Sequence, residues 1–439
     1  MIAESLLWWG GAVAISASVI IPYAIQFRRR ISHDRARKLE ASQLGIDKPS
    51  AQFPFIDPAH CIGCGACVRA CPEGDVLGIV GGTAVVVNGL RCVGHARCEE
   101  ACPVGAIEVG LGDLKSRADV PLLNDTYETT VPGIYVVGEL GGLSLVRNAV
   151  KQGREVIRNI AKGDGTALDV VVVGAGPSGL AAAAEAVARG LTCIVLEKEE
   201  SLGGSLLHYP RRKMVLLQPV EIAPGVTLDR DEYAKESLLE LFEELVAQKS
   251  LEVRFGEPVE EIAREADVAT HGTFLVRSAR GAYRTRAVIL ALGRRGTPRR
   301  LDVPGEELPK VMYRLMDAES YRNQRVLVVG GGDSAVEAAI GLALQAGNVV
   351  TLSYRRDKLV RIKKKNEDRF AKLVGAGKIE TLFNSQPTEI AEDRVILKIG
   401  DEERELANDY VFIFAGGVPP FDLLRKSGIR MGGEPAFGA

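Results

Sequence analysis

Cysteine placement is the strongest chemical signal in this chain. Cys61-x2-Cys64-x2-Cys67-x3-Cys71 is followed by Pro72, and Cys92-x2-His95-x2-Cys98-x3-Cys102 is followed by Pro103. Thiolates are soft donors that hold iron well, and runs at this spacing surround the corners of an iron–sulfur cluster. Chains that carry such clusters move single electrons. A structural zinc site fits poorly, because eight ligands at this spacing, with a Pro after each final Cys, do not match a zinc pattern. The second run carries His95 where the first has Cys64. Seven of the eight cysteines lie in these runs, so no disulfide framework remains and a reducing compartment is implied. The eighth, Cys193, sits in the apolar run TCIVLE and reads as a buried small hydrophobe.

Two glycine-rich turns follow. The apolar strand Asp169 to Val173 runs into Gly174-Ala175-Gly176-Pro177-Ser178-Gly179, then an Ala-rich helix, then the strand Thr192 to Leu196 ending at Glu197. This is a dinucleotide fingerprint in its required context. Gly174 makes the tight turn, Gly176 lets a pyrophosphate approach, Gly179 lets the helix pack, and Glu197 accepts from ribose hydroxyls. The second turn follows the strand Arg325 to Val329 as Gly330-Gly331-Gly332-Asp333-Ser334-Ala335, a GxGxxA pattern, and closes on the strand Val349 to Tyr354. Arg355 and Arg356 stand where an NAD site would carry an acid, with Arg361 beyond them. Guanidinium groups there clamp a 2′-phosphate, which predicts NADPH as the nucleotide. The competing reading is a solvated basic face, since Lys363 to Lys365 continue the charge.

These residues need elements to position them. From residue 168 short apolar strands alternate with helical patterns, the mark of a doubly wound α/β fold. The 439 residues allow three or so domains. The net charge of −2 gives no argument for nucleic acid. Ser5 to Phe27 carries no charge, and Arg28, Arg29, Arg30, Arg35, Arg37 and Lys38 follow it. That pattern predicts an N-terminal transmembrane helix at the inner membrane, single-pass, with its N-terminus outside and the body after residue 30 in the cytoplasm. The expected divisions are 1–30 anchor, 31–50 juxtamembrane helix or linker, 51–112 cluster unit, 113–305 first nucleotide domain, 306–418 second nucleotide domain and 419–439 a return segment. A strand is expected over Ala84 to Val87.

The cysteine runs resemble those of two-cluster bacterial ferredoxins, in which the fourth cysteine of each run crosses to the other cluster. The resemblance implies one cluster on Cys61, Cys64, Cys67 and Cys102, and another on Cys71, Cys92, Cys98 and the slot of His95. Two readings of His95 stand. Either its imidazole ligates a four-iron cluster, which raises the potential, or it is a bystander beside a three-iron cluster.

Residues from 168 onward resemble the thioredoxin-reductase-like FAD/NAD(P)H oxidoreductases. The likeness rests on the first fingerprint, Gly203-Gly204 after the acidic strand end, Val288 to Gly293 (VILALG), the arm Arg294 to Glu306, and the second fingerprint. It implies FAD in the first domain. Thioredoxin reductases carry a CxxC shortly before the second turn; here Val311 to Asp317 has no cysteine, so a dithiol relay is absent. The same loss is seen in ferredoxin–NADP reductases and bacillithiol-disulfide-reductase-like members. The family's closing motif, T-x-VPGIYAAGD, is matched early in the chain, at Thr130 to Glu139, with a helix expected from about Ser144 to Ala161. Residues 113–165 thus read as the family's C-terminal segment, circularly permuted to the front, with Gly138 and Glu139 at the flavin.

The whole is an α/β chain with two doubly wound Rossmann-like nucleotide-binding domains, a small α+β dicluster ferredoxin domain and the N-terminal helix. The expected activity is a membrane-anchored flavin/iron–sulfur oxidoreductase that passes electrons between NADPH, FAD and two clusters to a one-electron acceptor, or in reverse to NADP+. Ferredoxin, a quinone, a thiol or a heme protein are the partner classes, and the resemblance implies a homodimer. The rival readings are a low-molecular-weight disulfide reductase and a redox subunit or sensor of a larger complex.

Overall fold

The computed structural model describes residues 2–43, 52–111, 119–142, 145–217, 219–265, 272–294, 296–360 and 362–433. The chain divides into two compact units, Met1–Gly112 and Asp113–Ala439.

The first unit opens with α1, Ile2–Gln43. The helix runs on past Phe27, where a span was expected to give way to an anchor's flank, and its last turns dock on the cluster-bearing fold. Asp34 is buried and accepts from Ile79 N at 2.9 Å, while Arg37 pairs with Asp75 at 2.7 Å. Gly78 permits the approach, since a Cβ there would lie 2.9 Å from the Asp34 carboxyl carbon. Among the described residues no helix is long and apolar enough to cross a membrane. The side chains of Ser5 to Trp8 and Gly10 to Ile15, which make up the first part of the uncharged stretch, lie outside the described residues.

Two β-ladders frame the cluster loops. Gln52–Ile56 pairs antiparallel with Ile107–Leu111. Leu77–Val80 forms a hairpin with Thr83–Val86 around Gly81 and Gly82, whose positive φ values suit the tight turn. Two short helices, α2 (Ala66–Ala70) and α3 (Arg97–Glu100), each start on one of the cysteine runs. The small core is shared by Val76, Leu77, Ile79, Ala84 and Ile107 with the cysteines themselves.

In the second unit, a seven-stranded sheet carries the first nucleotide half. Its order is Val253–Arg254, Cys193–Leu196, Leu168–Val173, Ala282–Leu290, Phe274–Ser278, Val259–Arg264. The first four strands are parallel, and Cys193–Leu196, Val170–Val173 and Ala287–Leu290 are continuously apolar, as a doubly covered sheet requires. The last two turn antiparallel. The seventh strand, Ile134–Val136, runs parallel beside the C-terminal end of Ala282–Leu290. After it comes α4, Val146–Ile157, which packs on α5, Pro177–Ala188. Residues ahead of the first fingerprint in sequence therefore complete its sheet and cover its helix. α6, Lys235–Gln248, buries Leu238, Phe242 and Leu245 in the same core.

The second half is a parallel sheet of Val311–Met312, Tyr410–Ile413, Arg325–Val329, Val349–Tyr354 and Ile379–Phe383. It is flanked by α7 (Asp333–Ala343) and α8 (Lys364–Gly375). A three-stranded antiparallel sheet, Ser385–Ile390, Arg394–Ile399 and Glu402–Ala407, is inserted before the last strand. The chain returns to the first half through Thr297–Pro298 paired with Gly417–Val418, then α9, Phe421–Lys426, whose Leu424 is buried in the first half's core. There Leu122 N donates to Arg430 O at 3.0 Å and Gly432 N to Val120 O at 2.8 Å.

Candidate functional site

The two cysteine runs take the same backbone path. Gly63 and Gly65 have φ of 66° and 71°; Gly94 and Ala96, at the matching places, have 78° and 60°. Left-handed residues turn each loop back so that successive ligands face inward. The structure brings the eight predicted ligands into two groups. One recess is lined by Cys61, Cys64, Cys67 and Cys102, and the other by Cys71, Cys92, His95 and Cys98. Each holds about 330 Å³ of space between atoms, part of it open to solvent. Among the described residues no group of three or more His, Cys, Asp or Glu converges closely enough for a single metal ion.

The donor chemistry fits too. Burial pushes the thiols of Cys67, Cys71 and Cys92 up, and that of Cys98 up to about 12. Thiols this costly to ionise alone become thiolates against bound cations. Backbone amides already point at sulfur: Ala84 N donates to Cys61 Sγ at 3.3 Å and Ala106 N to Cys102 Sγ at 3.2 Å. Such bonds stabilise charge on cluster ligands.

At the first fingerprint, Gly174 has φ of 109°, and a Cβ there would lie 2.6 Å from Ala291 O. A Cβ at Gly179 would lie 1.9 Å from Gly174 O, so α5 sits directly against the strand end. Above Gly176 the space is open: an added Cβ meets only Gly204 Cα, at 4.0 Å. No side chain caps α5, so its first amides face that opening, where a pyrophosphate binds best. Glu197 is 3% exposed. One oxygen accepts from Ala175 N at 2.6 Å and the other from Glu199 N at 3.0 Å. Each oxygen retains a second lone pair for a ribose hydroxyl.

The early segment supplies the rest of this site. Gly138, at φ 78°, lies against Ser178, to whose Oγ a Cβ would come within 2.8 Å. Its N–H donates to Gln152 Oε1 at 2.8 Å. Glu139 beside it is exposed. Gln152 and Ser178 escape sequence reasoning; the only signal is their position on the inward faces of α4 and α5. Leu143 and Ser144, where the helix was expected to begin, lie outside the described residues.

At the second fingerprint Gly330 has φ of 141° with a Cβ that would lie 2.6 Å from Phe414 O, Gly332 faces open space, and Ala335 is buried under the loop. Asp333 is tied to Lys363 N at 2.9 Å and Asn366 Nδ2 at 2.7 Å. Arg355 and Arg356 are exposed just past Val349–Tyr354, at the edge where a 2′-phosphate would lie. Arg361 lies outside the described residues. Lys213 and Glu337 pair across the two nucleotide halves.

Residues 53–103 match the 4Fe-4S dicluster domain family, and residues 171–437 match the family described as pyridine nucleotide-disulphide oxidoreductase. A ferredoxin–NADP reductase of Ignicoccus hospitalis is 33% identical over 273 residues, 61% of this chain and 83% of that protein. The bacilliredoxin reductase Bdr of Bacillus subtilis is 29% identical over 276 residues, again 61% and 83%. The bacillithiol disulfide reductase Bdr (YpdA) of Staphylococcus aureus superposes with a TM-score of 0.53 at 28% identity, over 60% of this chain and 80% of that one. The chain belongs to the pyridine nucleotide-disulphide oxidoreductase family, as an FAD-dependent, thioredoxin-reductase-like member that carries a 4Fe-4S dicluster domain.

Proposed function

We propose that this enzyme passes electrons between NADPH and a one-electron carrier, in either direction, through FAD and two iron–sulfur clusters. One observation carries the reading: a single chain joins two dinucleotide loops to two recesses, each lined by ligands of a multi-iron cluster. Bound FAD exchanges a hydride with a nicotinamide and single electrons with iron. The protein's own residues bind and orient. Gly174, Gly176, Gly179 and Glu197 hold the adenosine and pyrophosphate of FAD, with Gly204 facing Gly176 across the loop. Gly138 and Glu139 serve its ribityl side. Gly330, Gly332 and Ala335 shape the second phosphate loop, and Arg355, Arg356 and Arg361 select NADPH over NADH.

The order of segments supports a circular permutation. Gly432 N bonded to Val120 O sets the return segment against residues 120–136, so joining them would restore the family's order without moving either strand. Membrane attachment is supported by the uncharged stretch Ser5 to Phe27, by exposed Val19, Ile20, Ile21, Tyr23, Ile25 and Phe27 on α1, and by Arg28 to Arg30 immediately after them. The positive flank favours a cytoplasmic body.

Anaerobic titration with NADPH, followed by optical and EPR spectra, tests the function. Flavin bleaching together with reduced-cluster signals supports it. Flavin reduction that never reaches iron, with turnover of a low-molecular-weight disulfide, would transfer the assignment to the reaction named for the Staphylococcus relative. Cell fractionation with carbonate washing tests the membrane.

A further inference from the structure

His95 occupies the slot that Cys64 fills in the other loop, and the two loops share one conformation. Ala96 keeps the left-handed backbone of Gly65 although it carries a Cβ, which costs roughly 1–2 kcal/mol. The geometry of a ligand loop is therefore maintained around the histidine. An imidazole has two nitrogens, and the partner of one decides the role of the other. His95 Nε2 lies 3.1 Å from Glu73 Oε1, and the side chains are 9% and 7% exposed. Both residues line the recess of Cys71, Cys92 and Cys98. Glu73 comes two residues after Cys71, so one short segment places a thiolate and this carboxylate together.

We propose that Glu73 is a positioning residue that holds His95 Nε2, makes Nδ1 the ligand of the second cluster, and supplies the negative charge that a cysteine thiolate would have brought to that corner. Exchanging thiolate for neutral imidazole removes one negative charge from the cluster's surroundings. A buried carboxylate held by the other ring nitrogen restores one close by, where burial leaves it poorly screened. The same contact orients the ring, as a carboxylate does behind a metal-bound histidine. The inference rests on the reading that this recess holds an iron–sulfur cluster.

The test uses the full chain with clusters reconstituted anaerobically, 15N-labelled at histidine. The expected wild-type result is histidine nitrogen coupling, in pulsed EPR, on one of two reduced-cluster signals. Glu73→Gln keeps the acceptor oxygen and the size but loses the charge. It is expected to retain the nitrogen coupling and to raise the midpoint potential of that cluster alone, by about tenfold in the reduced-to-oxidised ratio at fixed poise, about 59 mV for one electron. Glu73→Leu is expected to weaken or lose the coupling as well. Should the Glu73 variants assemble poorly, His95→Cys serves instead: the coupling disappears and the potential falls. Two assembled clusters without histidine coupling in the wild type, or a three-iron signature, would overturn this inference alone. Unchanged potentials in Glu73→Gln would do the same for the charge. Protein that assembles no iron–sulfur cluster would overturn the functional reading together with it.

Discussion

The contact between α4 and α5 turns on one hydrogen. At Gly153 an added Cβ would lie 2.1 Å from Ser178 O and 3.2 Å from Ala182 N. A carbon–oxygen contact rests at about 3.3 Å, so Gly153→Ala drives α4 back by roughly 1 Å. α5 cannot yield, because Gly179 already stands against Gly174 O. Gln152 travels with α4, and its 2.8 Å bond from Gly138 N stretches to roughly 3.8 Å, beyond hydrogen-bond range. The retreat relieves overpacking of about 1–3 kcal/mol but breaks a buried bond worth about 1–3 kcal/mol, so the two are alternatives and do not add. Alanine's helix preference returns about 1 kcal/mol. The net loss is roughly 0–2 kcal/mol, centred near 1, and at roughly 2 °C per kcal/mol for a domain this large Tm falls by up to roughly 4 °C. Gly341 on α7 is the matched control. Its added Cβ meets nothing nearer than Ala318 Cβ, at 3.4 Å, so Gly341→Ala is expected to stabilise by about 0.4–1 kcal/mol. Thermal unfolding by circular dichroism reads both, and FAD affinity by flavin fluorescence is expected to fall for Gly153→Ala alone, since Gly138 and Ser178 belong to the proposed flavin site. Shifts of the same sign in the two variants would refute the reasoning.

Replacing Arg355 and Arg356 together by Ala removes charge-assisted contacts worth about 1.5–3 kcal/mol each when formed; their exposure puts them at the low end, so KM for NADPH should rise roughly 10- to 100-fold with NADH unchanged. Steady-state reduction of ferricyanide checks this, and an equal change for both nucleotides would count against a 2′-phosphate site. Glu306 is buried, which pushes its carboxyl up, but bonds from Tyr313, Leu301 N and Asp302 N outweigh that and hold it below its usual value. A depressed folded pKa gives stability that is complete above the unfolded pKa and disappears as pH falls through the folded one. Glu306→Gln should therefore destabilise by about 1–3 kcal/mol near neutral pH, and the gap from wild type in a pH series of melts should close below the ordinary carboxylate range. Cys193 is half-buried, not fully buried as its sequence suggests, yet its surroundings push the thiol up to about 12, so iodoacetamide near pH 8 should leave it unmodified in folded protein while denatured protein reacts; fast labelling of the native state, read by peptide mass, would contradict so high a thiol.

Chemistry at fixed spacing was readable before any coordinates. The glycines at 174 and 179 stand where backbone comes too close for a side chain, Gly176 leaves the space above the loop open, and both requirements are written in one short stretch. The same holds for 330 and for the ligand loops. What spacing does not encode is contact between segments distant in sequence. Nothing near Gly153 announces Ser178, and nothing near Asp34 announces Ile79, so the docking of α1 on the hairpin was not expected from a stretch read as juxtamembrane helix or linker. Glu73 was passed over for a related reason: a carboxylate behind a ligand has no motif of its own, and only the fold shows which histidine it meets. The inserted sheet from Ser385 to Ala407 was missed because its alternation is weak, with the outer strand Glu402–Ala407 largely exposed.

The choice between a thiol route and an iron route follows from where the sulfur is. Residues 113–439 contain one cysteine, Cys193, in the second strand of a parallel sheet and with its thiol held near pKa 12. A dithiol relay needs a thiolate at neutral pH, and this half of the chain has none to offer. The remaining seven cysteines line the two recesses, and burial raises four of their thiols. The five thiols that burial raises, Cys193 and four in the recesses, are thus costly to ionise without a bound cation. Residues 113–439 therefore offer no dithiol to relay an electron pair, and the remaining cysteines lie at the spacing of iron–sulfur ligands.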